Sequence, residues 1–136
     1  MKHLENLQSL TTGDLREILR VSSVLKQKTR QGERPSLLSN YCLAQLFEKP
    51  SLRTRLSFDV AMTQLGGTSL FFSVADVGLN GRESLADVAR VITRYADILV
   101  IRAFSQHLIT EFARHASCPV INGLSDVSHP CQAIAD

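Results

Sequence analysis

The hydrophobic positions of the chain follow two alternating rhythms. Leu15, Ile18, Leu19 and Leu25 recur at helical spacing, and Thr11 with Asp14 three residues on supplies a capping-box start. The polar segment "KQKTRQGERP" behind them reads as a solvated loop. Tyr41–Phe47 is a nearly continuous apolar stretch and predicts a buried strand. Helical spacing resumes through Leu56, Val60 and Leu65 and stops at Gly66-Gly67. Thr68–Ser73 predicts a second strand, and "ADVGLNGRE" a loop after it. Ser84 with Asp87 opens a helix whose apolar face is Leu85, Val88, Val91, Ile92 and Tyr95. Ile98–Ile101 is wholly apolar and β-branched or Leu, the mark of a strand covered on both faces. Ser105 caps a helix through Leu108, Ile109, Phe112 and Ala116, and Pro119–Ile121 is a fourth strand. Ser128 caps a last helix, with Pro130 in the first turn, where a missing N–H costs nothing.

One helix followed by four strand–helix pairs predicts an α/β fold. The expected architecture is a mainly parallel sheet of about four strands with helices on both faces, a three-layer αβα arrangement. The 136 residues suffice for one domain with a core. The last helix reaches Asp136 without a C-cap signal, so the pattern predicts an element cut short.

Charge narrows the partners. Fifteen Lys+Arg against thirteen Asp+Glu leave a net charge of only +2, so anion binding has to be local. The basic "KQKTR" segment carries no interleaved aromatic, which argues against nucleic acid. Cys42, Cys118 and Cys131 form no CxxC pair and are odd in number, so free thiols in a reducing cytoplasm are expected, with no disulfide framework and no metal. "MKHLENLQ" lacks the apolar core of a signal peptide, and no apolar run approaches a membrane span.

Candidate chemistry collects where strands end. In an open parallel sheet, ligands bind at the carboxyl ends of the strands. After the first strand comes "FEKPSLRTR", with Ser51, Leu52, Arg53, Thr54 and Arg55 at a helix start. Cations are out of place there, because a helix N-terminus already carries positive partial charge; they make sense around an anion. The competing reading is a capped helix with surface arginines. After the third strand comes Arg102, which needs either an anion or a structural acid. After the fourth come His129 and Gln132, one helical turn apart in "SHPCQ"; a lone histidine is otherwise usually structural. His3, His107 and His115 read as solvated. No Ser-His-Asp order, acid cluster, GxGxxG or P-loop is present. What remains is a set of donors fit for clamping phosphate and polarising a carbonyl oxygen.

"FEKPSLRTR", "LGG", "RESLADVARV", "PVINGLSD" and "HPCQAIAD" together resemble the carbamoyl-phosphate-binding half of the ornithine carbamoyltransferases, over about Leu43 to Asp136. The resemblance implies a transferase making citrulline and phosphate from carbamoyl phosphate and ornithine, as in arginine biosynthesis, without cofactor or metal. It implies that residues 1–136 are the carbamoyl-phosphate domain, with ornithine bound by a second domain outside them. This chain alone would then bind carbamoyl phosphate without efficient turnover. The family's phosphate-binding motif falls on Ser51, Leu52, Arg53 and Thr54, with Leu52 where threonine is commoner. Gln132 joins the same substrate site. Thr54, Arg102 and His129 would hold the carbamoyl oxygen, and Arg55 would make a structural ion pair. The family's catalytic unit is a homotrimer. Gly78 stands where many members carry a Gln or His that reaches a neighbouring subunit, so that contact would pass to the loop backbone or Arg82. Aspartate carbamoyltransferases share much of this logic but typically lack Lys49, carry a K-G-E loop and read N-A-G-D-G in place of "NGLSD". A non-catalytic anion-binding module is the third reading.

Overall fold

The computed structural model describes residues 2–136. After a 3-10 turn at Leu7–Ser9, the elements run α1 (Thr12–Arg30), β1 (Cys42–Phe47), α2 (Leu52–Gln64), β2 (Thr68–Ser73), α3 (Leu85–Tyr95), β3 (Ile98–Arg102), α4 (Gln106–His115), β4 (Val120–Leu124) and α5 (Pro130–Ala135). All strand pairs are parallel and the order is β2-β1-β3-β4. The three-layer expectation holds. Alternate residues of the central strands feed two cores. Ala44, Leu46, Leu99, Ile101 and Val120 pack with Val88, Ala89, Ile109 and Phe112 of α3 and α4. Leu43, Phe47 and Val100 pack with Met62 of α2 on the opposite face. Leu46, Leu99, Val100 and Ile101 have no exposed surface, as strands covered on both faces require.

Most caps form as the sequence implies. Thr11 and Asp14 make a reciprocal capping box, and Ser84 and Ser105 accept from backbone N–H groups at the starts of α3 and α4. Two boundaries differ. α1 continues through "KQKTR" to Arg30, because this stretch has good helix formers and no breaker before Gly32. α5 is capped by His129, not Ser128: its Nδ1 accepts the N–H of Gln132 at 3.4 Å.

Two features had no sequence signal. α1 buries none of its residues; its apolar stripe is half-covered at best. The segment before it pairs with the sheet edge: Leu4 bridges Ile121 in parallel, with Leu4 N–H to Val120 O at 2.8 Å and Asn122 N–H to Leu4 O at 2.8 Å. His3, expected to be solvated, accepts the Val120 N–H at Nδ1 (3.1 Å).

The order β2-β1-β3 makes the chain step from β1 to one side and then back across to the other. That reversal opens a crevice between the carboxyl ends of β1 and β3. Phe47 is level with Arg102 there, so the loops after both strands start at the same height. Ile101 lies in the middle of this support. Ile101→Ala is expected to cost about 2–5 kcal/mol of stability, read as a lower urea midpoint at unchanged m-value.

Candidate functional site

The loop after β1 turns into α2 through Ser51, whose extended backbone (φ −158°) makes it the N-cap. Its Oγ accepts the Thr54 N–H at 3.3 Å. The first turn of α2 holds no acid, unlike those of α1 and α3, so nothing in it offsets the positive end of the helix. A helix end of this kind favours an anion.

Arg102 closes the crevice from β3. Its guanidinium donates to Thr54 Oγ1 at 3.3 Å, joining the two loops across the switch point. Its Nε is buried without a hydrogen-bond partner, and no carboxylate pairs with it among the described residues. Burial alone pushes its acidity in the direction of the neutral form. The structural-acid alternative is thereby removed: this is a half-buried cation with a donor to spare. Glu48, the nearest acid in sequence after β1, is engaged elsewhere, accepting the Phe104 N–H at 2.6 Å.

His129 arrives from the other side. Its imidazole is held below the usual histidine range, first by burial and then by the Arg102 cation, so the two side chains feel each other across the crevice. Gln132 is exposed at the first turn of α5, and its amide donates to Asp136 at 2.8 Å. Arg53 is exposed and takes part in no ion pair among the described residues; its backbone carbonyl accepts from Ser57. Leu52 is 75% exposed, so its side chain contributes nothing to the crevice wall and only its backbone can serve a ligand.

Arg55 is the arginine withdrawn from this chemistry. It pairs with Asp59 at 3.7 Å and lies over the Phe71 ring at 3.8 Å. Asp59 is in turn bound by the buried Gln45 amide (2.6 Å) and by Ser69. A 460 Å³ cavity on the β2 side of the loop is lined by Lys49, Ser51, Leu52, Arg55 and Phe71. Thr54, Arg102 and His129 do not line it.

Gly78 is buried with φ +75°, and its carbonyl accepts the N–H groups of Arg82 and Glu83. An added Cβ would meet Glu83 Cγ at 3.1 Å. The glycine makes the turn of this loop, and Arg82 is among its exposed side chains. The cysteines are free: Cys42 and Cys131 half-buried, Cys118 buried. Burial, then the Asp97 carboxylate, pushes the Cys118 thiol up to about 11, which rules it out as a nucleophile at neutral pH. Among the described residues no group of three His, Cys, Asp or Glu is placed to hold a metal, and no helix is long and apolar enough to cross a membrane.

The loops around the crevice thus carry a helix N-terminus without an acid, a Ser hydroxyl, a Thr hydroxyl, a half-buried guanidinium and an imidazole. It offers donors and no nucleophile. One consequence is measurable by NMR titration. Arg102→Ala should raise the His129 titration midpoint by removing the neighbouring cation, and leave it short of the usual value because burial persists. An unmoved midpoint would separate the two side chains.

Residues 2–136 match the family described as "Aspartate/ornithine carbamoyltransferase, carbamoyl-P binding domain". The chain is 45% identical over 135 residues to an ornithine carbamoyltransferase of Rhizobium meliloti, covering 99% of this chain and 45% of that protein. An ornithine carbamoyltransferase from Pyrococcus furiosus superposes with a TM-score of 0.95 at 43% identity, over 99% of this chain and 43% of that one. The catalytic subunit of M. jannaschii aspartate transcarbamoylase superposes with a TM-score of 0.89 at 33% identity, over 98% and 44%. The chain therefore spans less than half the length of the relatives it matches.

Proposed function

The chain belongs to the aspartate/ornithine carbamoyltransferase family, as its carbamoyl-phosphate-binding domain, and from that premise we propose that the β1–β3 crevice binds carbamoyl phosphate for transfer to ornithine. The single observation that carries this reading is Arg102, half-buried, without an acid and hydrogen-bonded to Thr54 beside a helix N-terminus that holds no acid. In the proposed arrangement the Ser51–Thr54 turn and Arg53 take the phosphate. Arg102, Thr54 and His129 take the carbamoyl oxygen, and Gln132 lies at the edge of the carbamoyl group.

The chemistry follows from what the donors can do. The neutral amine of the acceptor attacks the carbamoyl carbon, and negative charge grows on the carbonyl oxygen. The C–O bond to phosphate then breaks, phosphate leaves with that electron pair, and the nitrogen gives its extra proton to the departing phosphate. Fixed donors at the growing oxyanion are each worth about 3 kcal/mol in such reactions. The helix N-terminus and Arg53 stabilise the departing phosphate, and holding both reactants in line contributes further. The imidazole, kept neutral by burial and by Arg102, donates through one nitrogen without adding a charge.

Ornithine is favoured over aspartate by the sequence itself. "FEKPS" carries Lys49, the loop after β2 is "NGRES", and "NGLSD" follows β4. Recognition of the amino acid is assigned to a second domain outside these 136 residues, so this chain alone is proposed to bind carbamoyl phosphate without efficient citrulline production. A cytoplasmic setting is supported by its free thiols.

A homotrimer is the proposed assembly. An apolar groove of 490 Å³ beside α3, lined by Leu70, Phe72, Val91, Ile92 and Tyr95, supports it, with Tyr95 81% exposed. The loop with Gly78 and Arg82 is the proposed inter-subunit element. Light scattering should give three times the chain mass; a monomer at all concentrations would contradict the shared-surface proposal.

Isothermal titration with carbamoyl phosphate tests the site. Wild type should bind, and Arg53→Ala and Arg102→Ala should each weaken binding about 10- to 100-fold, the range of charge-assisted hydrogen bonds. No heat with wild type, or wild-type affinity retained in both variants, would overturn the reading.

A further inference from the structure

The loop that delivers His129 is organised around one buried side chain that the sequence pattern does not single out. Asn122, on β4, has no exposed surface. Its Oδ1 accepts the Leu124 N–H at 2.8 Å. Leu124 is one of two non-glycine residues with positive φ (+148°) among the described residues, and Ala103 N–H holds its carbonyl at 2.9 Å. Just before it, Gly123 leaves little room for a side chain, since a Cβ would meet Val100 Cγ1 at 3.0 Å and the Ile101 carbonyl oxygen at 3.3 Å. The sharp exit from β4 is thus pinned by the Asn122 amide oxygen.

The other end of the same amide faces a crowd of acceptors. Nδ2 lies 2.8 Å from the Glu5 carbonyl, 3.1 Å from Gln106 Oε1, and 3.2 and 3.3 Å from Ser128 Oγ and O. An amide has two hydrogens, so it can serve two of these well. The Glu5 carbonyl is nearest, and Ser128 immediately precedes His129. Ser125 closes the ring: its hydroxyl donates to Gln106 Oε1 at 2.6 Å and accepts the Ser128 N–H at 3.1 Å. Glu5 is itself fixed, because its carboxylate accepts from Thr110 on α4 at 2.8 Å and the neighbouring Leu4 pairs with β4. A continuous path of hydrogen bonds therefore runs from the N-terminal arm through Asn122 to Ser128, the residue whose peptide bond leads into His129.

We propose that Asn122 is a positioning residue for His129 and that the docked N-terminal arm holds it in register, so that the arm sets the grip on the carbamoyl oxygen separately from the grip on phosphate. This rests on the carbamoyl-phosphate reading of the crevice. The separation follows from topology. The phosphate side is built by the Ser51–Thr54 turn after β1, which the arm does not touch. The imidazole side is built by the 122–129 loop after β4, the strand on which the arm lies. Loosening the arm frees one amide hydrogen from Glu5 and lets the Ser125–Ser128 ring relax, displacing His129 while the α2 N-terminus stays in place.

Leu4→Pro removes the N–H that bonds Val120 and undocks the arm at the sheet edge, away from the core; Asn122→Ala removes the link from the inside. Affinities for carbamoyl phosphate and for inorganic phosphate are measured by titration calorimetry on the same preparations, with the His129 midpoint followed by NMR. Leu4→Pro should weaken carbamoyl phosphate binding about two- to tenfold, the size of one loosened hydrogen bond, and leave inorganic phosphate within about twofold. The His129 midpoint should move as its surroundings open. If Asn122→Ala does not fold, Leu4→Pro decides alone. Equal losses for both ligands would mean a general effect on stability and would overturn the proposal, as would unchanged affinity for carbamoyl phosphate. A wild-type chain that took up neither ligand would sink the carbamoyl-phosphate reading instead. The positioning claim would then stand or fall on whether the His129 midpoint moves in Leu4→Pro.

Discussion

A guanidinium at the end of a strand with a buried middle is the constraint around which this molecule is arranged. Leu99, Val100 and Ile101 bring Arg102 to the rim with no solvent on either face of the sheet. A cation in that position costs free energy unless something anionic or strongly dipolar answers it. The protein supplies one neutral oxygen, from Thr54, and no acid. None of the groups described around it is anionic. A half-buried cation whose Nε lacks a partner suits a charge that comes from outside.

The sheet order makes this arrangement possible. Because the chain reverses direction around β1, the loops after β1 and β3 diverge and leave their backbone N–H groups and side chains facing a common gap. The parallel register brings Phe47 and Arg102 level, so Ser51 and Thr54 on one loop and Arg102 on the other reach the same depth. Arg55 shows the same economy from the opposite side: tied to Asp59 and stacked on Phe71, it fastens α2 to the sheet and stays out of the crevice.

Much of this was legible in the sequence, for identifiable reasons. Strand–helix alternation and caps such as Thr11–Asp14 are local, so the elements and the layer order could be read from spacing. Ser51, Thr54, Arg102 and His129 each follow a strand, and a parallel sheet sends all such loops to one rim. Family resemblance added the roles, which spacing alone leaves open between an anion site and a capped helix. What escaped were long-range pairings. Nothing near Leu4 announces a bridge to Ile121, more than a hundred residues away. Asn122 looks like a turn residue in "NGL", although its burial and its bonds to Glu5 and Ser128 come only from the tertiary fold. His129 read as a group aimed at ligand, with Ser128 as the cap; in the folded chain the imidazole does the capping through Nδ1, leaving Nε2 as its remaining nitrogen.

The most direct test of the central claim is a crystal structure of this chain grown with carbamoyl phosphate. The account predicts one ligand in the β1–β3 crevice, with its phosphate on the Ser51–Thr54 turn and its carbonyl oxygen within hydrogen-bond distance of Arg102. A ligand seated instead in the cavity beside Lys49 and Arg55, with Arg102 making no contact to it, would contradict the account.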